Sequence, residues 1–340
     1  MLRERAIAWN RGYAAKLGWT PADLGADAFD GVLLTRVAQV QHDLGVEADG
    51  LFGPASYGAW LTQRATALSA ELAAAMGTDA GATAAALILG GQVALTTAKA
   101  LWLRTVVDPP DASDRYAASR AVVDALIRSD DGLGWSWEKP YRRNGDYEWC
   151  GSLAAWGWRA AGVPLAIRKR YFSSTYRLDR FARYRATGDE TPPAPPDDAR
   201  RLLVELDEDA GPDDAVFPDG TDPRAGDILL VGGERTGYGK HICLVEAYDP
   251  ATGLFTTIEG NGTGASPRGG RIHGIVRAQR PVGLGRDEPR TRYHARRLIR
   301  PSIHDLTVVG ASVDPGGRRA ADRRPASPPG ASSAALEVPR

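Results

Sequence analysis

The sequence predicts an α+β fold, helices first and an antiparallel sheet after them, on three observations. Apolar residues recur at helical spacing through the N-terminal third; short apolar runs separated by Gly- and Asp-Pro-rich turns begin at Asp227; and Asp108-Pro109-Pro110-Asp111 breaks the helical pattern between the two regimes. At 340 residues the chain exceeds the usual single-domain size of roughly 100–200, so two folded units are expected, with a tail.

Residues 1–62 read as a small all-α unit. Leu33, Val37, Val40, Gln41 and Leu44 recur at helical spacing before the turn-rich Glu47-Ala48-Asp49-Gly50, and Pro54 then opens a helix carrying Tyr57 and Trp60 as far as Leu61. Residues 63–110 are Ala-rich and read as a helical connecting segment. Within it, Gly81 to Ala98 is uncharged and almost long enough to span a bilayer, but Gly90-Gly91-Gln92, Thr96 and Thr97 dilute it, so a buried helical hairpin is expected and no stable membrane insertion. A helix over about 113–127 opens the second unit, 111–285.

Three strands follow: Ile228–Val231, His241–Val245 and Leu254–Ile258. Between helices and strands, the insertion around 185–220, with Thr191-Pro192-Pro193-Ala194-Pro195-Pro196 and Gly211-Pro212-Asp213-Asp214, reads as a long irregular surface excursion. Residues 310–340, rich in Pro, Ala, Ser and Arg without apolar period, read as a disordered tail.

Basic and acidic residues balance at 42 each, so no net field draws the chain to nucleic acid or to an anionic membrane. The first residues lack the unbroken apolar run of a signal peptide, and any export is expected to use another route. Two cysteines, Cys150 and Cys243, are too few for a disulfide-stapled scaffold. Asp130-Asp131 gives no readable ligand geometry for calcium, and Cys150, His241 and Cys243 lack a recognisable zinc spacing, so neither metal nor other cofactor is assigned.

Cys150 stands in Gly145-Asp146-Tyr147-Glu148-Trp149-Cys150-Gly151-Ser152, directly ahead of a helix whose Leu153, Trp156, Gly157 and Ala160 share a face and which Gly162 and Pro164 end. A thiol at a helix N-terminus meets unpaired backbone N–H groups and the positive end of the dipole, surroundings that favour thiolate and can hold an oxyanion. Gly151 is expected to leave room for substrate. Most free cysteines are simply small buried apolar residues, so position alone does not make Cys150 a nucleophile.

Its partners shift the balance. With the turn Asp249-Pro250-Ala251-Thr252-Gly253 centred on Ala251, antiparallel register sets His241 opposite Asn261, with Glu259 one diagonal step away and all three on one sheet face. Alternation turns Ile242 and Leu244 outward and His241, Cys243 and Val245 the other way. Nucleophilic cysteine chemistry needs a base for the thiol proton and a polar group to orient the imidazole. Glu259 suits the second role, with Asn261 in support. Cys243 either fills the core or approaches the active thiol, and His42, His273, His294 and His304 read as solvated or locally bonded.

These residues, Trp149-Cys150 opening a helix, Gly226-Asp227-Ile228-Leu229 beginning a strand, Lys240-His241-Ile242-Cys243-Leu244-Val245 and Ile258-Glu259-Gly260-Asn261, resemble the CHAP domains, the cysteine, histidine-dependent amidohydrolase/peptidases. The resemblance covers about 115–282. It implies a papain-like fold, helices packed on an antiparallel sheet, and hydrolysis of either the muramoyl amide or a peptide bond of stems and cross-bridges in peptidoglycan. It makes Cys150 the nucleophile, His241 the base, and Glu259 and Asn261 their polar partners, with Trp149 and Gly151 beside the substrate. The chain departs from the family at Cys243, where a smaller residue is usual, and in the insertion around 185–220.

The N-terminal unit resembles the small three-helix peptidoglycan-binding domain through Val37-Ala38-Gln39-Val40-Gln41, Leu44-Gly45-Val46, Asp49-Gly50-Leu51-Phe52-Gly53-Pro54 and Ala59-Trp60. That implies wall contacts from Asp49 and Phe52. The expected protein is a monomeric peptidoglycan hydrolase acting on the cell wall after non-classical delivery. A non-catalytic wall-binding protein and an acyl or peptidyl transferase on the same fold are the alternatives.

Overall fold

The computed structural model describes residues 2–77, 83–107, 126, 150–164, 168, 172, 178, 202–206, 217–218, 220–232, 241–267, 271–282, 294–301 and 306. The expected helix near 113–127 (apart from Leu126), Asp130-Asp131, Trp149, the Pro-rich stretches at 191–196 and 211–214, His304 and the tail 310–340 lie outside the described residues. Within them the protein is a mixed helical and antiparallel-sheet fold, as the periodicity predicts.

α1 (Leu2–Leu17), α2 (Gly31–Asp43) and α3 (Pro54–Met76) come first. Asp30 caps α2 by accepting from the backbone N–H groups of Val32 (2.8 Å) and Leu33 (3.1 Å), which satisfies donors that the first turn leaves unpaired. Two buried amides then fix the loop ahead of α3. Asn10 on α1 donates to Gly50 O and accepts from Phe52 N, while Gln41 on α2 accepts from Gly50 N and donates to Asp49 Oδ1, Leu51 O and Ser56 Oγ. Gly50 takes φ 75° there, a conformation that a side chain disfavours.

α3 runs on through Thr62 without interruption, so the expected boundary at residue 62 falls inside a helix. The stretch Gln63-Arg64-Ala65-Thr66-Ala67-Leu68 holds no breaker, and Leu68 and Leu72 keep the buried face going. α4 (Thr83–Val107) is likewise one helix through Gly90-Gly91-Gln92 rather than a hairpin within Gly81–Ala98. The hairpin is instead α3 against α4: Gly58 lies beside Leu103, and the Lys99 ammonium sits 5.3 Å over the Tyr57 ring. The glycines serve contact, because a Cβ at Gly91 would stand 2.3 Å from Ala225 O, where the chain enters the sheet. α4 is long and apolar enough to cross a membrane, yet two-thirds of that window is buried within the protein.

α5 (Cys150–Ala160) and α4 lie on a six-stranded sheet of β1 (Leu202–Glu205), β2 (Ile228–Gly232), β3 (His241–Asp249), β4 (Leu254–Ala265), β5 (Arg271–Pro281) and β6 (His294–Arg300). Its order is β1-β6-β2-β3-β4-β5, antiparallel throughout. β6 lies beyond the expected end at residue 285, between β1 and β2, and β1 falls inside the excursion expected to be irregular. Backbone pairing recruited both despite polar side chains such as those of Arg296 and Arg297. His294, expected to be solvated or locally bonded, is the second of these: it is wholly buried, with Nε2 3.3 Å from Arg296 Nη1.

The two sheet faces build two cores. Ile228, Leu230, Ile242, Leu244, Ile258 and Ile299 join the helices in one core that also includes Ala14, Leu33 and Phe52; Leu229, Val231, Cys243, Val245, Phe255 and Leu298 fill the other. The expected alternation along β3 holds, but Ile242 and Leu244 face the helices instead of turning outward, because α5 covers that side.

A β-bulge falls at Glu246, between the pairs Val245↔Thr257 and Ala247↔Thr256. Its carboxylate receives Lys99 from α4 and, at 2.5 Å, Arg277 Nε from β5; Lys99 also donates to Gly18 O at 3.3 Å.

Candidate active site

Cys150 is the first residue of α5 and is 4% exposed. Gly151 lets the helix seat there: a Cβ on it would meet Phe172 O at 1.9 Å and Ile242 Cδ1 at 3.2 Å. The space beside Gly151 is therefore filled by backbone and core rather than open to substrate, which corrects the expectation from sequence.

His241 opens β3, and Cys243, two residues on, pairs directly with Glu259 of β4. The Cys243↔Glu259 pair is the one the expected register gives, although the turn is centred one half-step later than Ala251: Asp249 pairs with Leu254, and the Glu246 bulge takes up the offset. The ladder stops at that pair, so the expected facing of His241 and Asn261 is not among its pairs. Beyond Glu259 the strand continues through a second bulge, where Asn261 adopts φ 56°. Gly260-Asn261-Gly262 is thus an irregularity inside β4 and not its end.

Glu259 is completely buried and fully bonded. His241 Nε2–H donates to Oε2 (3.1 Å), Arg280 reaches both oxygens (Nε to Oε1, 2.7 Å; Nη2 to Oε2, 2.5 Å), and Thr257 Oγ1 donates to Oε1 (2.6 Å). Burial alone would raise this carboxyl's pKa, but the hydrogen bonds and charges of His241 and Arg280 outweigh it and hold the group well below the usual carboxylate range.

Burial opposes charge on the His241 ring, yet its pKa is raised well above the ordinary imidazole value, first by the neighbouring Cys243 sulfur and then by hydrogen bonds with Cys150, Cys243 and the Glu259 carboxylate. Burial pushes the Cys243 thiol up to about 12, so at neutral pH that sulfur is uncharged and Glu259 is the fixed negative charge behind the imidazolium. With Nε2 committed to Glu259, Nδ1 is the nitrogen left for a sulfur. Of the two expectations for Cys243, core filling is the one met: it belongs to the second core, and it also interacts with His241.

The structure thus brings Cys150, His241 and Glu259 together, with Asn261 two residues beyond Glu259. Asp49 and Phe52 are elsewhere. Phe52 is wholly buried against Trp19 and serves packing, not a contact surface, and Asp49 Oδ1 holds its own loop through Leu51 N and Gln41. Sequence reasoning missed Arg280 and Thr257. Alternation from Glu259 points to Thr257, whereas a lone arginine on a later strand carries no local sign of its partner. The nitrogen, sulfur and oxygen donors of His241, Cys243 and Glu259 all lie within 4.8 Å of one another, close enough to share an ion.

Compared with known proteins, the chain matches no protein-family model, no curated protein and no solved structure.

Proposed function

We propose that the protein hydrolyses an amide or peptide bond of peptidoglycan through a cysteine nucleophile. The observation that carries this reading is the relay from the Cys150 sulfur at a helix N-terminus, through His241, to the buried carboxylate of Glu259. His241 takes the Cys150 proton, and the thiolate attacks the scissile carbonyl. The oxyanion forms against the first backbone N–H groups of α5, donors of a kind typically worth about 3 kcal/mol each. His241 then protonates the departing amine, and later activates water against the thioester. Glu259 fixes the ring and steadies its charge, while Arg280 and Thr257 fix Glu259.

The cell wall as substrate rests on the resemblance of these spaced elements to CHAP domains, with a papain-like arrangement of α5 on the sheet, and on the resemblance of residues 1–62 to a three-helix peptidoglycan-binding unit. In that unit Asp49 lines an open cleft with Arg3, Trp9 and Leu51, which is the surface for a wall contact now that Phe52 is assigned to the core. The test is digestion of purified peptidoglycan by wild type and Cys150→Ala, with mass spectrometry of the fragments. Free stem peptides from wild type alone identify an amidase, and shortened or uncrosslinked stems an endopeptidase. Lysis retained by Cys150→Ala refutes the mechanism; products joined to added amines identify a transferase; and wall binding without release favours a non-catalytic protein.

A further inference from the structure

Cys243 has no part in the hydrolytic relay, yet it shares the imidazole with Cys150. The spacing His-x-Cys along β3 puts both side chains on one face, and the register sets Glu259 directly opposite Cys243. A soft thiolate, an imidazole and a carboxylate are the donor set of a zinc-class ion. The nitrogen–oxygen separation suits it, and the sulfur lies within 4.8 Å of both. An ion about 2.0–2.1 Å from both Nε2 and Oε2 separates them by roughly 3.3 Å at a tetrahedral angle, against the 3.1 Å of the present hydrogen bond. The outer shell is also built, because Arg280 and Thr257 already hold Glu259, the kind of support that orients metal-bound carboxylates.

We propose that His241, Cys243 and Glu259 form a binding site for a divalent zinc-class ion, which takes the catalytic base out of action when it binds. The ion replaces the proton on His241 Nε2 and the proton of the Cys243 thiol, and both protons leave to water. Two positive charges enter and two leave, so burying the ion adds no net charge to a site where an unpaired one would be heavily penalised. With the ion on Nε2 the ring is no longer an imidazolium, and the one proton it keeps on Nδ1 is held too tightly to be passed to the departing amine. The inhibitory half of this inference rests on the proposed hydrolase reading; the binding half does not.

The test uses the metal-free full-length protein, titrated with Zn²⁺ against a chromophoric chelator and with Co²⁺ by absorption spectroscopy. One ion per chain is expected, with a thiolate-to-cobalt charge-transfer band. Cys150→Ala should keep both. Cys243→Ala, whose replacement preserves an apolar buried group, should lose the band and bind Zn²⁺ at least a hundredfold more weakly. Thr257→Val, a near-isosteric change that loosens Glu259, should weaken binding about tenfold or more without touching a donor atom, and this decides the matter if the Cys243 variant does not fold. Unchanged affinity in a folded Cys243→Ala, or loss of the ion in Cys150→Ala, overturns the assignment. Absence of wall digestion by the metal-free wild type would count against the hydrolase reading alone and would leave these binding results standing.

Discussion

Replacing Glu259 by Gln keeps the size of a completely buried side chain and removes its charge, which isolates what that charge does to His241. In the wild type the carboxylate accepts from Nε2 and supports the imidazolium against burial. A hydrogen bond to a charged group contributes about 1.5–3 kcal/mol, which at about 1.4 kcal/mol per unit is roughly one to two units of imidazole pKa. The active thiolate–imidazolium pair is lost when the ring gives up its proton, so the alkaline limb of the rate profile should move to lower pH by that amount. The assay is peptidoglycan release across a pH series, with iodoacetamide alkylation of Cys150 as a substrate-free check. Stability should follow the same signs. Glu259 is depressed below its ordinary 4.5, so its contribution is present above that pH and is lost as pH falls through the folded value. His241 is raised above 6.5, so its contribution is complete below 6.5 and is lost as pH rises through the folded value. A folded Glu259→Gln protein whose alkaline limb stays within about 0.3 units of wild type would refute the coupling.

Three further outcomes are expected. Gly151→Ala drives a methyl into Phe172 O and should destabilise by about 1–3 kcal/mol, with a loss of turnover larger than the loss of wall binding; chemical denaturation and pull-down on insoluble wall check both. Lys99→Met leaves Glu246 with Arg277 alone in a nearly buried pocket, at a cost of roughly 3 kcal/mol, read as a drop in Tm of several degrees. Gln41→Leu strips the loop at Asp49–Leu51 of an amide that binds four groups; with about 1–3 kcal/mol for each buried group left unpaired, urea denaturation should show a destabilisation larger than that of Lys99→Met.

The site was legible where its geometry is local. Period-two alternation alone puts His241 and Cys243 on one face, and Cys150 opens a helix because the apolar spacing of Leu153, Trp156 and Gly157 begins just after it. The pairing of β3 with β4 was within reach because a short turn joins them. What escaped depends on distant pairing. Arg280 reaches Glu259 only once β5 is laid beside β4, and His294–Arg300 looks like a polar segment until β1 and β2 take its backbone from both sides. Phe52 misled for a different reason: its wall contact was implied by the resemblance of the Asp49–Pro54 motif, yet Asn10 and Gln41 bond the backbone of that turn and the ring lies in the core.

The extra residue at Glu246 separates two things that a plain hairpin ties together. In an unbulged ladder, adding or removing one residue in the connecting loop flips every side chain beyond it to the opposite face. Here the offset is absorbed at a point pinned by Lys99 and Arg277, before the strands reach His241 and Glu259. The Asp249–Gly253 loop is therefore free to be rebuilt, lengthened or used to display a grafted peptide, while the alignment of the reacting groups is set by contacts that the loop does not make.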